Sequence, residues 1–90
     1  MHCDLCHESE ADNVVTLDMG KTWVIVCDDC NSDKGPKATH HDYSFELPKT
    51  MAEVHHWDEH LLRKIWVREN AEAWGNMRRR IEQFIPTRED

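Results

Sequence analysis

All four cysteines of this 90-residue chain fall in two close pairs, Cys3-x-x-Cys6 and Cys27-x-x-Cys30, with 20 residues between the pairs. Two residues between cysteines let one tight turn aim both sulfurs at a single point. Two such turns supply the corners of a tetrahedron with metal–sulfur distances near ~2.3 Å. The spacing fits the zinc pattern of paired cysteines, whereas a redox C-x-x-C belongs in a βαβ unit, and none surrounds either pair. The expectation is one structural Zn2+ per chain on Cys3, Cys6, Cys27 and Cys30. Four thiolates leave no open coordination position for a catalytic water.

A staple of this kind suits the length. Ninety residues make one domain at most, and chains of this size bury little apolar surface without a metal, disulfides or a partner chain. The longest apolar run, WVIVC at residues 23–27, is far short of the ~20 residues a membrane helix needs. Acids and histidines follow the first residue at once, so no apolar signal core is read there. The expected setting is the cytoplasm, where thiols stay reduced and paired cysteines bind metal more often than they form disulfides.

Between the cysteine pairs, Asn13-Val14-Val15-Thr16-Leu17 and Thr22-Trp23-Val24-Ile25-Val26 are β-branched and apolar, separated by Asp18-Met19-Gly20-Lys21. This reads as a β-hairpin with Gly20 free to take positive φ. An isolated hairpin is marginal in water, and a metal would tie its ends together.

The stretch CDLCHESEADNVVTLDMGKTWVIVCDDC resembles the N-terminal zinc domain of the ClpX unfoldase over residues 2–31. The resemblance implies a treble-clef zinc fold, used in that family for dimerisation and for docking adaptors and substrates. The glycine usual after the second cysteine is His7 here, and no ATPase module follows. CDDCNSDKG, residues 27–35, is similar to the zinc bracket of HNH endonucleases, with Asn31 and Lys34 on that motif. The family's catalytic histidine has no counterpart between the cysteine pairs.

Residues 36–49 contain two of the three prolines and read as a connector, with a short extended piece at Tyr43-Ser44-Phe45-Glu46-Leu47. Residues 50–85 read as helical. Thr50 and Glu53 form a capping box, and Pro86 marks the end, leaving 86–90 as a tail. Val54, Trp57, Leu61, Leu62, Ile65, Trp66, Ala73, Trp74, Met77, Ile81 and Phe84 recur at helical steps. Either one helix of about 35 residues runs for about 52 Å, or the chain breaks near residues 69–76, with Gly75-Asn76 the weak point, into a helical hairpin. The expected fold class is therefore a small zinc-bound α+β protein: a treble-clef-like hairpin module over residues 1–35, followed by a long helix or a helical hairpin.

Three functions compete. A protein-interaction module, acting as a small adaptor, regulator or inhibitor, would use Trp23, Trp57, Trp66 and Trp74, since tryptophan is enriched at interface hot spots. Its partner would be another protein, or a second copy of the chain docked through a single long helix. A nucleic-acid binder on an HNH-type scaffold without nuclease activity would use Lys34, Lys37, Arg78, Arg79 and Arg80. The net charge of −7 opposes that choice, with −6 of it in residues 1–50 (4 basic against 10 acidic residues). An enzyme would use His56-x-x-Glu59-His60, the inverted zinc-peptidase motif. A third ligand is missing for it, although His40 and His41 could join His56 and His60 at a second metal. The expectation is a binding protein and no enzyme.

Overall fold

The computed structural model describes residues 1–32, 41–63 and 70–85, which form two compact units, 1–47 and 48–90. The first unit is built on β1 (Asn13–Leu17), β2 (Thr22–Val26), the short helix α1 (Asp28–Asn31) and β3 (Tyr43–Glu46). The sheet order is β2-β1-β3, antiparallel throughout. The expected hairpin is present, with Leu17 opposite Thr22 and Asn13 opposite Val26. The extended piece inside the expected connector is β3, with Tyr43 opposite Thr16.

Strand alternation sorts the sheet into two faces. Val15, Val24 and Val26 lie on one, while Val14, Thr16, Trp23, Ile25, Tyr43 and Phe45 lie on the other. Val14, Val15 and Thr16 of the central strand are fully buried, as a strand covered on both faces must be. On the second face Trp23 meets Phe45 edge-on at 6.4 Å between ring centroids.

The turn between β1 and β2 places three successive residues at positive φ: Asp18 at 55°, Met19 at 59° and Gly20 at 84°. Contacts from elsewhere in the unit secure it. The Gly20 N–H donates to Asp42 Oδ2 at 2.9 Å, and the Trp23 indole N–H donates to the Gly20 carbonyl at 3.0 Å. Asp42 in turn donates its own N–H to the Thr16 carbonyl at 2.9 Å.

The second unit contains α2 (Met51–Leu62) and α3 (Ala71–Glu82). The single-helix alternative is corrected: α2 ends at Leu62 with Arg63 as its C-cap, and a separate helix begins at Ala71. The helix does not break at Gly75-Asn76, which lie inside α3. Thr50 caps α2 by accepting the Glu53 N–H at 3.2 Å, while the Glu53 carboxylate takes the Lys49 N–H at 2.6 Å.

Val54 and Leu61 of α2 and Trp74, Met77 and Ile81 of α3 are buried, and Ile85 continues that stripe four residues on. Leu62 and Phe84, assigned to the stripe from their spacing, are exposed at 56% and 61%. Leu62 is the last residue of its helix and Phe84 lies two residues beyond the end of its own. No helix among the described residues is long and apolar enough to cross a membrane.

Candidate metal centre

The four cysteine sulfurs converge, each within 4.8 Å of the others. Each pair is presented by its own local structure. In the first turn, Cys3 donates its N–H to the Ser9 carbonyl at 2.8 Å and accepts from the His7 N–H at 3.0 Å. His7 reverses the chain at φ 63°. Asp4 docks this turn on the outer edge of β2. Its N–H reaches the Ile25 carbonyl at 2.8 Å, and its Oδ2 accepts the Ile25 N–H at 3.0 Å.

The second pair sits at the end of β2. Cys27 is the N-cap of α1, its carbonyl accepting the Asn31 N–H at 3.0 Å, and Cys30 lies inside the helix. The buried Asn13 at the start of β1 donates to Asp28 Oδ1 at 2.9 Å, which fixes the helix against the sheet. His41 Nε2 lies 3.4 Å from the Cys30 carbonyl oxygen, and the Ser44 hydroxyl donates to Asn31 Oδ1 at 3.0 Å.

A tetrahedral ion held at ~2.3 Å by four sulfurs requires them about 3.8 Å apart. The Sγ atoms of Cys6 and Cys27, drawn from different turns, are 3.8 Å apart. An S–S bond would need about 2.05 Å, and all four cysteines are free thiols. The donor set therefore fits one closed four-sulfur metal site.

The electrostatics lead the same way. Burial pushes the Cys3 thiol up, but the backbone N–H groups of Cys6, Cys27 and Leu5 outweigh it and bring it down to about 6. Those of Leu5 and Cys6 point at its sulfur from 3.3 and 3.4 Å. The backbone around Glu8 and Ser9 lowers Cys6. Cys30 is pushed up to about 12 by burial and by the neighbouring sulfurs of Cys27, Cys3 and Cys6. One thiolate is thus favoured while another is opposed by the very crowding that makes the cluster. A divalent cation resolves that conflict, since its charge lets all four ionise and their protons leave.

The remaining predicted site residues are scattered. Trp23 and Trp74 are interior residues, only 8% and 6% exposed. Trp23 is fixed by its turn and Phe45, and Trp74 donates its indole N–H to Asp58 Oδ1 at 2.8 Å. Trp57 is half-buried on α2, edge-on to His60 at 5.1 Å and to His56 at 5.5 Å.

Arg78 bonds Asp58 through Nη1 at 2.6 Å and Glu82 through Nε at 3.4 Å, Arg79 reaches the Asn76 side chain, and Arg80 is exposed. Lys34, Lys37, His40 and Trp66 lie outside the described residues. His56 and His60 stack at 6.2 Å on one face of α2. Among the described residues the four cysteines alone form a group of three or more metal-ligating side chains.

Two residues that matter to the geometry carried no readable signal. Asp4 looks like a solvated acid between cysteines, and Asp58 looks like a flaw in an apolar stripe.

The fold and the site define a small α+β chain with a four-cysteine centre on one face of a three-stranded sheet. Compared with protein-family models, curated proteins and solved structures, the chain matches none.

Proposed function

We propose that this chain is a zinc-stabilised protein-interaction module, a small adaptor or regulator that binds another protein and catalyses no reaction. The observation that carries the reading is the closed cluster of four sulfurs at Cys3, Cys6, Cys27 and Cys30. A site already saturated by four thiolates organises backbone and offers no position for an activated water. Zinc is the ion of choice, because sulfur-only tetrahedral sites favour zinc over the oxygen-seeking cations. The arrangement of knuckle, hairpin and helix-borne second pair supports a treble-clef-like module. The resemblance of residues 2–31 to the ClpX zinc domain supports a docking role for it.

Trp57 is the side chain best suited to anchor a partner. Among the described residues it is the most exposed tryptophan, flanked by His56 and His60. Truncating a hot-spot tryptophan weakens binding by ~2 kcal/mol, about thirtyfold.

The test has two arms. Metal analysis of the purified chain returns one zinc per chain. The zinc-loaded chain, used as bait in its native host, retains a stoichiometric protein that Trp57→Ala releases while its zinc stays bound. Cleavage of plasmid DNA or peptide by the pure protein, abolished by His60→Ala, would overturn the binding-only reading.

A further inference from the structure

We propose that Cys6 is an oxidation site: a small neutral peroxide oxidises its sulfur, and Cys27 then closes a Cys6–Cys27 disulfide that dismantles the metal centre. This rests on the metal-centre reading above and assigns that site a chemical sensitivity. Cys3 and Cys30 are fully buried and Cys27 is 4% exposed, whereas Cys6 is partly open to solvent. An oxidant arriving from water therefore meets Cys6 first.

The choice of resolving partner follows from position. Cys27 Sγ lies 3.8 Å from Cys6 Sγ, so forming the bond draws the sulfurs together by about 1.8 Å. Cys3 is the competitor within the same turn, but the N–H groups of Leu5 and Cys6 already point at its sulfur from 3.3 and 3.4 Å. Hydrogen bonds of that kind withdraw electron density and blunt a nucleophile. Cys6–Cys27 also joins the two turns covalently, replacing the link the ion supplies.

The oxidant's charge follows from the site. A divalent ion with four thiolates carries a formal −2, and the exposed acids Glu8, Asp28 and Asp29 lie within two residues of a cysteine. Anionic oxidants such as glutathione disulfide are repelled, and hydrogen peroxide is not.

The steps balance. The Cys6 thiolate attacks one peroxide oxygen, the O–O bond breaks, and the departing hydroxide takes a proton to become water, leaving Cys6 as a sulfenic acid. The Cys27 thiolate attacks the Cys6 sulfur, the S–S bond forms, the S–O bond breaks, and a second hydroxide leaves and is protonated. Two thiolates lose two electrons and peroxide gains them. The two remaining thiolates no longer make a closed site, and the ion departs without redox change.

The experiment uses the full chain purified with its metal and freed of reductant. Hydrogen peroxide is added while a chromogenic chelator follows metal release and non-reducing peptide mapping follows the cysteines. The expected result is one metal released per disulfide, Cys6 joined to Cys27, and early dimedone labelling confined to Cys6. Dithiothreitol with zinc restores the starting state. Cys6→His keeps a fourth ligand without the sulfur, and should release metal at least roughly tenfold more slowly. Should that variant fail to bind metal, the wild-type mapping decides alone. A first disulfide of Cys3–Cys6 or Cys27–Cys30 in metal-loaded chain overturns the proposal, as does wild-type release from Cys6→His. A chain that purifies without metal instead removes the underlying reading, a separate result visible before peroxide is added.

Discussion

His7 shows how much a single residue can reveal once its backbone is known. Its φ of 63° lies in the left-handed region, which costs an L-residue roughly 1–2 kcal/mol, while glycine there gives back roughly 0.5–1 kcal/mol of chain entropy. His7→Gly should therefore raise the stability of the metal-loaded chain by about 0.5–1 kcal/mol, read as a higher denaturant midpoint at unchanged metal content. A lower midpoint would mean that the imidazole itself supports the turn.

Thr16 offers the opposite case. It is fully buried, and its Oγ1 has no hydrogen-bond partner among the described residues. Such a hydroxyl is desolvated without return, so Thr16→Val, nearly the same shape, should stabilise the chain by about 1 kcal/mol. Loss of stability in that variant would show that the hydroxyl has found a partner such as an ordered water. Neither position was readable beforehand: the sequence displays residue types, while φ and the absence of a partner belong to the folded backbone.

Local rules made some elements legible and left others open. The hairpin could be read because β-branched alternation and a glycine-bearing turn are encoded within a dozen residues, and the cap of α2 because Thr50 and Glu53 are three apart. The docking of β3 beside β1 could not, since it depends on Asp42 and Tyr43 meeting residues far back in sequence. The choice between one helix and two also stayed open, because helical spacing continues in phase across residues 63–70.

What holds α2 to α3 is a charge placed within the apolar stripe. Asp58 lies between Val54 and Leu61 and receives both the Trp74 indole N–H at 2.8 Å and the Arg78 guanidinium at 2.6 Å. Asp58→Ala removes the acceptor 2.8 Å from the Trp74 indole N–H and the nearer of the two carboxylates on Arg78, and should destabilise the helix pair by about 2–3 kcal/mol. Asp58→Asn keeps an acceptor for Trp74 and should lose about half as much, its coupling to Arg78 measurable by a double-mutant cycle. A loss within a few tenths of a kcal/mol for Asp58→Ala would reduce this contact to an ordinary surface ion pair.

At the scale of the whole molecule, the acidic first half and the cysteine placement become one problem of stability. The core on the cysteine-bearing side of the sheet consists of Cys3, Val15, Val26, Cys27 and Cys30, with Leu5, Cys6 and Val24 packed at its margin. Cysteines thus supply three of its five buried members, and that side has little hydrophobic stabilisation of its own. The first turn and α1 are joined neither covalently nor by a ladder of backbone bonds. Asp4 on β2, Asn13 on Asp28 and Ser44 on Asn31 are polar ties that hold them to the sheet. Structural zinc in comparable sites contributes ~10–16 kcal/mol apparent at neutral pH, about the entire stability of a small domain at ~5–15 kcal/mol. Removal of the ion by a strong chelator under reducing conditions should therefore abolish amide protection at Val15, Val24 and Val26 in hydrogen exchange, and Cys27→Ser should reproduce the loss without chelator. Added zinc should restore protection in the chelated wild-type chain and not in the variant. Strand amides that stay protected after the metal is gone would place the stability of this unit in the opposite face, around Val14, Ile25 and Phe45, and reduce the centre to an accessory tie.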